Sequence, residues 1–192
     1  MKLLSVFFGL CLLASSAMAS PDRYTLDPAH TTVAFLVDHV GYAKTLGLFS
    51  DVSGAFSFNT ETNEISDLSI SVATDSVNSN NEARDKHLRN KDFLNVKKYP
   101  EMTFSAAAGS IDSTGSGQIT GELTLLGETR QLVLDVTLNK AEKYPFGHKK
   151  FTLGVSASGE LDRSDYGMDY GVANALVGDA VDLIIEVEAI QE

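Results

Sequence analysis

The feature that most narrows what this chain can fold into is a two-residue alternation of apolar and polar side chains running from Val33 to Val187. Val33, Phe35, Val37 and His39 share one parity, as do Leu68, Ile70 and Val72, and Met102, Phe104 and Ala106. Ile119, Gly121, Leu123 and Leu125 repeat it, then Leu132 to Leu138, Phe151 to Ala157 and Val181 to Val187. The intervening positions carry mostly Thr, Ser, Asp and Glu. Successive side chains of a strand point to opposite faces, so the pattern specifies antiparallel strands with one buried face. With the short Gly54–Phe58 run there are about eight such segments at close spacing, which predicts an all-β barrel or sandwich. A closed barrel leaves no exposed sheet edge, and it is the architecture expected here.

Turn chemistry sits between the runs. Asn59–Asn63, a Gly- and Ser-rich Gly109–Gly117, the tight Gly127-Glu128 pair and a long Lys140–Lys150 loop are expected to connect strands. Two places break the alternation. Gly41–Leu48 is expected to hold a short helical turn. Residues 79–94 are expected to form the one clear helix, with Ser79 and Glu82 as a capping box. Tyr99 precedes Pro100, so the chain must be extended there.

The first 19 residues read as an export signal to be removed. Lys2 is a positive start, Leu3 to Leu13 an apolar stretch too short to span a bilayer, and Ala17-Met18-Ala19 a small-x-small cleavage site. Cys11 follows Leu10, where a lipoprotein signal needs a small residue, so lipidation is not the preferred reading. Residues 20–192 would then be one exported, soluble domain, long enough to bury a core. Cys11 is the only cysteine, so that domain has no disulfide, no thiol nucleophile and no thiolate metal site. The net charge of −11 argues against a nucleic-acid partner, because that affinity comes mainly from neutralising phosphates.

Chemistry-bearing patterns are sparse. His30, His39, His87 and His148 show no metal-ligand spacing. His39 continues the apolar parity of Phe35 and Val37; it reads first as a strand-end histidine and second as a polar group at a cavity mouth. Asp162, Asp165 and Asp169 lack the spacing of a calcium loop and are expected to pair with Arg163 or cap turns. There is no phosphate-cradling glycine pattern and no nucleophile elbow, and no carboxylate pair stands out. No enzyme, resident cofactor or metal is expected. Arg84, Lys86, Arg89, Lys91, Lys97 and Lys98 set against Asp85 and Asp92 give a net +4 stretch in an acidic chain. It reads either as a solvated helix face or as a patch for anionic lipid head groups or an acidic partner.

The stretch Arg84-Asp-Lys-His-Leu-Arg-Asn-Lys-Asp-Phe-Leu-Asn-Val-Lys-Lys-Tyr-Pro-Glu-Met-Thr-Phe104 resembles the hallmark of the YceI-like, polyisoprenoid-binding family. Tyr24-x-Leu-Asp-Pro-x-His30, Gly121-x-Leu-Thr-Leu-x-Gly-x-Thr-Arg130, Asp162-Arg-Ser-Asp-Tyr-Gly167 and Val177-Gly-Asp-x-Val-x-Leu183 resemble its other segments. Leu126 and Gln131 depart from its usual hairpin. The resemblance implies a lipocalin-like barrel of eight antiparallel strands. It also implies a non-enzymatic periplasmic role in holding, storing or carrying an isoprenoid, quinone or related amphiphile.

On that reading Phe35, Val37, His39, Ile70, Met102, Phe104, Leu123, Leu134, Val155 and Leu183 are the expected cavity lining, and Gly121 and Ala157 leave room. Arg84, Lys86, Arg89 and Lys91 are the expected docking residues for a membrane or partner. The alternative is a barrel packed solid with side chains, acting as an interaction module through Arg84–Lys98. A lipid-modifying enzyme is a third reading, for which His39 is the one candidate.

Overall fold

The computed structural model describes residues 20–192; the expected export signal lies outside the described residues. The alternating segments form β1 (Asp22–Leu26), β2 (Thr32–His39), β3 (Ala43–Phe49), β4 (Val52–Asn59), β5 (Glu64–Ala73) and β6 (Val77–Asn78). After one helix, α1 (Glu82–Leu88), come β7 (Glu101–Ile111), β8 (Ser116–Leu125), β9 (Glu128–Lys143), β10 (Phe151–Asp162) and β11 (Val177–Gln191).

These eleven segments make eight staves. β1 and β2 lie end to end along one edge of β11, with Leu26 opposite Ala189 and Val33 opposite Ile185. β3 and β4 continue each other against β2 and β1, and β5 and β6 against β4 and β3. β7 to β11 are the remaining five, each antiparallel to the next. Because β11 pairs back onto β1 and β2, the sheet closes into the expected eight-stranded antiparallel barrel. The breaks have local causes. Between β1 and β2, Pro28 has no N–H to give a ladder, and Asp27 Oδ1 accepts from the Ala29 N–H at 3.0 Å. Between β5 and β6, Thr74 turns inward and its hydroxyl donates to the Tyr99 carbonyl at 2.7 Å.

β8 and β9 show the alternation most cleanly. Ile119, Leu123, Leu125, Leu132, Leu134 and Val136 are buried, while Thr120, Glu122, Gln131 and Asp135 between them are exposed. Burying one such side chain contributes roughly 1.5–3 kcal/mol. In β7 the pairing with β8 slips between Ser105 and Ser110, which turns Ile111 inward after Phe104 and Ala106.

Four expectations change. Gly41–Leu48 is not helical: the chain turns at Val40–Tyr42 and β3 follows, its alternation hidden because an inward position holds Gly47 opposite Phe35. The helix is shorter than 79–94. Asn81, whose side chain accepts from the Arg84 N–H at 3.0 Å, caps α1, while the Ser79 N–H and hydroxyl both donate to Asp85. Asn80 at φ +60° separates Ser79 from the helix, so no capping box forms. The Gly109–Gly117 connection is only the turn between Ile111 and Ser116, held by Asp112. The Lys140–Lys150 loop is shortened because β9 runs to Lys143.

Candidate binding cavity

The barrel interior is not filled. It holds a cavity of ≈250 Å³ whose lining is apolar apart from Thr31, Thr103 and Arg163. Phe35, Val37, Ile70, Met102, Phe104, Leu123, Leu134, Val155 and Leu183 all line it, as does Ala157. His39 does not: it stands exposed at the end of β2, opposite Val177 and Ala43. Two glycines admit aromatic rings rather than ligand. A Cβ at Gly47 would lie 2.3 Å from Phe35 Cζ, and one at Gly121 would lie 2.4 Å from Phe104 Cζ. Gly121 therefore makes room for Phe104, a correction to the expectation that it leaves space for a ligand.

One end of the cavity is roofed by two segments. Leu88, Phe93 and Leu94 come from α1 and the turns after it, and Met168 from the connection between β10 and β11. His87, Phe93 and Tyr170 join the two segments, their ring centroids 5.0–5.2 Å apart. Leu88, Phe93 and Leu94 fall within the 79–94 stretch expected to be helical; nothing in the pattern around Met168 marks it.

Arg163 secures the roof. It is 3% exposed and donates to the carbonyls of Gly178 (2.7 Å), Met168 (2.6 Å), Tyr170 (2.8 Å) and Val177 (3.0 Å). Its guanidinium carbon also lies 5.9 Å from the Phe93 ring centroid. Burial pulls its pKa below the usual arginine value, against the charges of Asp179 and Asp169. The expected pairing with Asp162, Asp165 or Asp169 is thus replaced by carbonyl bonds, while Asp179 accepts from the N–H and hydroxyl of Ser164.

The basic segment divides in two. Arg84 donates to the hydroxyl and carbonyl of Ser79, in the segment leading into α1, and Arg89 to the carbonyls of Asp75 and Val77, so Arg84 ties the helix to its own entry and Arg89 braces it to β6. Lys86 and Lys91 stand exposed. At the opposite end of the barrel Asp27, His30 and Glu188 bring one ligand atom each within 4.8 Å of one another, a grouping that could hold a metal ion. The sequence spacing concealed it because Glu188 comes from β11. His30 Nδ1 is already 2.7 Å from Asp27 Oδ2, a hydrogen bond that raises the histidine pKa and lowers that of Asp27.

A barrel with this polarity is inside out relative to one that spans a membrane, whose outward face is apolar. It can enclose an apolar molecule, and the profile of the YceI-like domain matches residues 24–189. The chain belongs to the YceI-like family. The YceI protein of Escherichia coli O157:H7 is 35% identical over 188 residues, covering 97% of this chain and 95% of that one. Among solved structures, the YceI protein of Campylobacter jejuni is 32% identical with a TM-score of 0.73, over 81% of this chain and 90% of that one. A polyisoprenoid-binding domain from Saccharophagus degradans shares the YceI-like fold at 16% identity, with a TM-score of 0.62 over 88% of this chain and 98% of that one.

Proposed function

We propose that this YceI-like barrel binds a long apolar lipid of the isoprenoid or quinone type and stores or carries it in the periplasm, without turning it over. The observation that carries this reading is the cavity, continuous in lining from Leu26 and Leu138 at one end to Leu88 and Phe93 at the other. The binding named for the Saccharophagus domain supports the lipid class. No cofactor is needed, because holding a lipid needs only an apolar interior.

Size sets the mode of binding. The cavity's ≈250 Å³ is below the roughly 300–1,000 Å³ of usual ligand pockets, while β11, at 15 residues, is about 50 Å long. A slender chain therefore threads the barrel, and its head group stays outside or displaces lining side chains. Each buried methylene contributes roughly 0.8 kcal/mol, so affinity alone does not separate a prenyl from an acyl chain; shape must.

The test is purification of residues 20–192 from the native host without detergent, followed by solvent extraction and mass spectrometry. A stoichiometric prenyl lipid or quinone is the expected result. Lipid-free protein that also takes up no added prenyl chain would overturn the reading.

A further inference from the structure

The roofed end of the barrel carries an apolar rim that the cavity does not use. Tyr42 is 91% exposed, Tyr170 46%, Leu176 45% and Val40 41%. Main-chain bonds tie the rim together: the Val40 N–H donates to the Leu176 carbonyl at 3.1 Å, and the Leu176 N–H donates to the carbonyl of Gly171, next to Tyr170, at 3.0 Å. Val40 holds φ +57° and Ala175, beside Leu176, φ +55°. A β-branched residue in that region is a costly choice, and in water its exposure gains nothing in return.

Charged groups of both signs surround this rim. Lys86, Lys91, Lys97 and Lys98 are all exposed, on or just after α1. Three acidic groups nearby are turned to local donors: Asp38 accepts from the Gly41 N–H, Asp92 bonds His87 and Asp179 bonds Ser164. Glu82, Asp165 and Asp169 remain at the surface. Arg84 and Arg89 brace the helix and Lys98 Nζ lies 4.8 Å from the Tyr99 ring centroid, so Lys86, Lys91 and Lys97 are the side chains available to an external anion. Exposed tyrosine and leucine beside lysines match the boundary of an anionic bilayer, where amphipathic rings settle at head-group depth and lysines meet phosphates.

We propose that the Val40, Tyr42, Tyr170 and Leu176 rim, flanked by Lys86 and Lys91, docks the roofed end of the barrel onto an anionic phospholipid surface. This rests on the lipid-binding reading only for its purpose, since the roof over the cavity would then face the bilayer. Docking itself is independent of cavity loading.

The experiment is flotation of residues 20–192 with phosphatidylcholine vesicles lacking or containing phosphatidylglycerol, at low and high salt. The protein should float with the anionic vesicles, less so in high salt. The pair Tyr42→Ser and Leu176→Ser should lower partitioning about tenfold or more. The pair Lys86→Gln and Lys91→Gln should lower it about fivefold per lysine on anionic vesicles only. Circular dichroism confirms folding, and exposed rim positions carry little of the core. Wild type that fails to float, or rim variants that float unchanged, would overturn docking. Uptake of a prenyl lipid from detergent micelles, measured on the same variants, keeps the two readings apart: intact uptake with lost flotation is expected of the rim pair.

Discussion

The ring of Phe104 occupies the space that a side chain at position 121 would fill. Leu123, two residues on, is the registered partner of Phe104, and a Cβ on Gly121 would stand 2.4 Å from Phe104 Cζ and 2.5 Å from the Ser105 carbonyl. Gly121→Val should therefore push Phe104 into the cavity and strain the β7–β8 ladder. Overpacking of this kind costs about 1–3 kcal/mol. Urea denaturation should show that loss together with reduced prenyl-lipid capacity; a variant with wild-type stability and capacity would show that the ring has room elsewhere.

Ala157 offers the converse change. It lines the cavity between Val136 and Ile185 and is only half buried, so a larger side chain can enter open space rather than a packed contact. Ala157→Phe should leave stability within about 1–3 kcal/mol of wild type while sharply lowering uptake of a fluorescent prenyl probe. Unchanged uptake by the folded variant would place the lipid elsewhere.

Arg163 is the hinge of the roof. Arg163→Met removes the donors to four carbonyls in one step, leaving partly buried acceptors without partners, and should cost about 3 kcal/mol or more. Arg163→Lys should recover little, since an ammonium cannot reproduce the planar fork. Chemical denaturation gives the number. Amide exchange should locate the opening between Arg163 and Val177, and protection there equal to wild type would show that the roof is held by its apolar contacts alone.

The alternation made the eight staves and nine of the ten expected lining residues legible, because period-two burial is a property of the chain itself. The rest depended on partners distant in sequence. Gly47 hid a strand, since its inward space belongs to Phe35. Ser79 and Glu82 had the spacing of a capping box, but Asp85 captured Ser79 first. His39 kept the right parity yet ran past the end of the cavity into solvent. Arg163 looked like half of an ion pair because nothing local announces four carbonyls brought in by a folded-back loop.

The clasp at the far end, Asp27 with His30, should give the barrel a pH-dependent stability. The Asp27 hydrogen bond, then the Glu188 charge, holds the His30 imidazole above its ordinary value of about 6.5. A histidine whose pKa is higher folded than unfolded stabilises fully below the unfolded value, and that contribution is lost as pH rises through the folded value. Asp27 behaves oppositely: the His30 bond lowers its pKa, so its contribution is present above the ordinary carboxylate value and lost as pH falls through the lowered one. The clasp is therefore strongest between the two, and His30→Gln, which keeps a hydrogen-bonding group without a charge, should lower Tm most near about pH 5 to 6. The gap to wild type should narrow as pH rises past the folded histidine pKa, read independently from the His30 ring resonances by NMR. A gap that widens with pH would mean that neutral His30, not the charged clasp, does the stabilising.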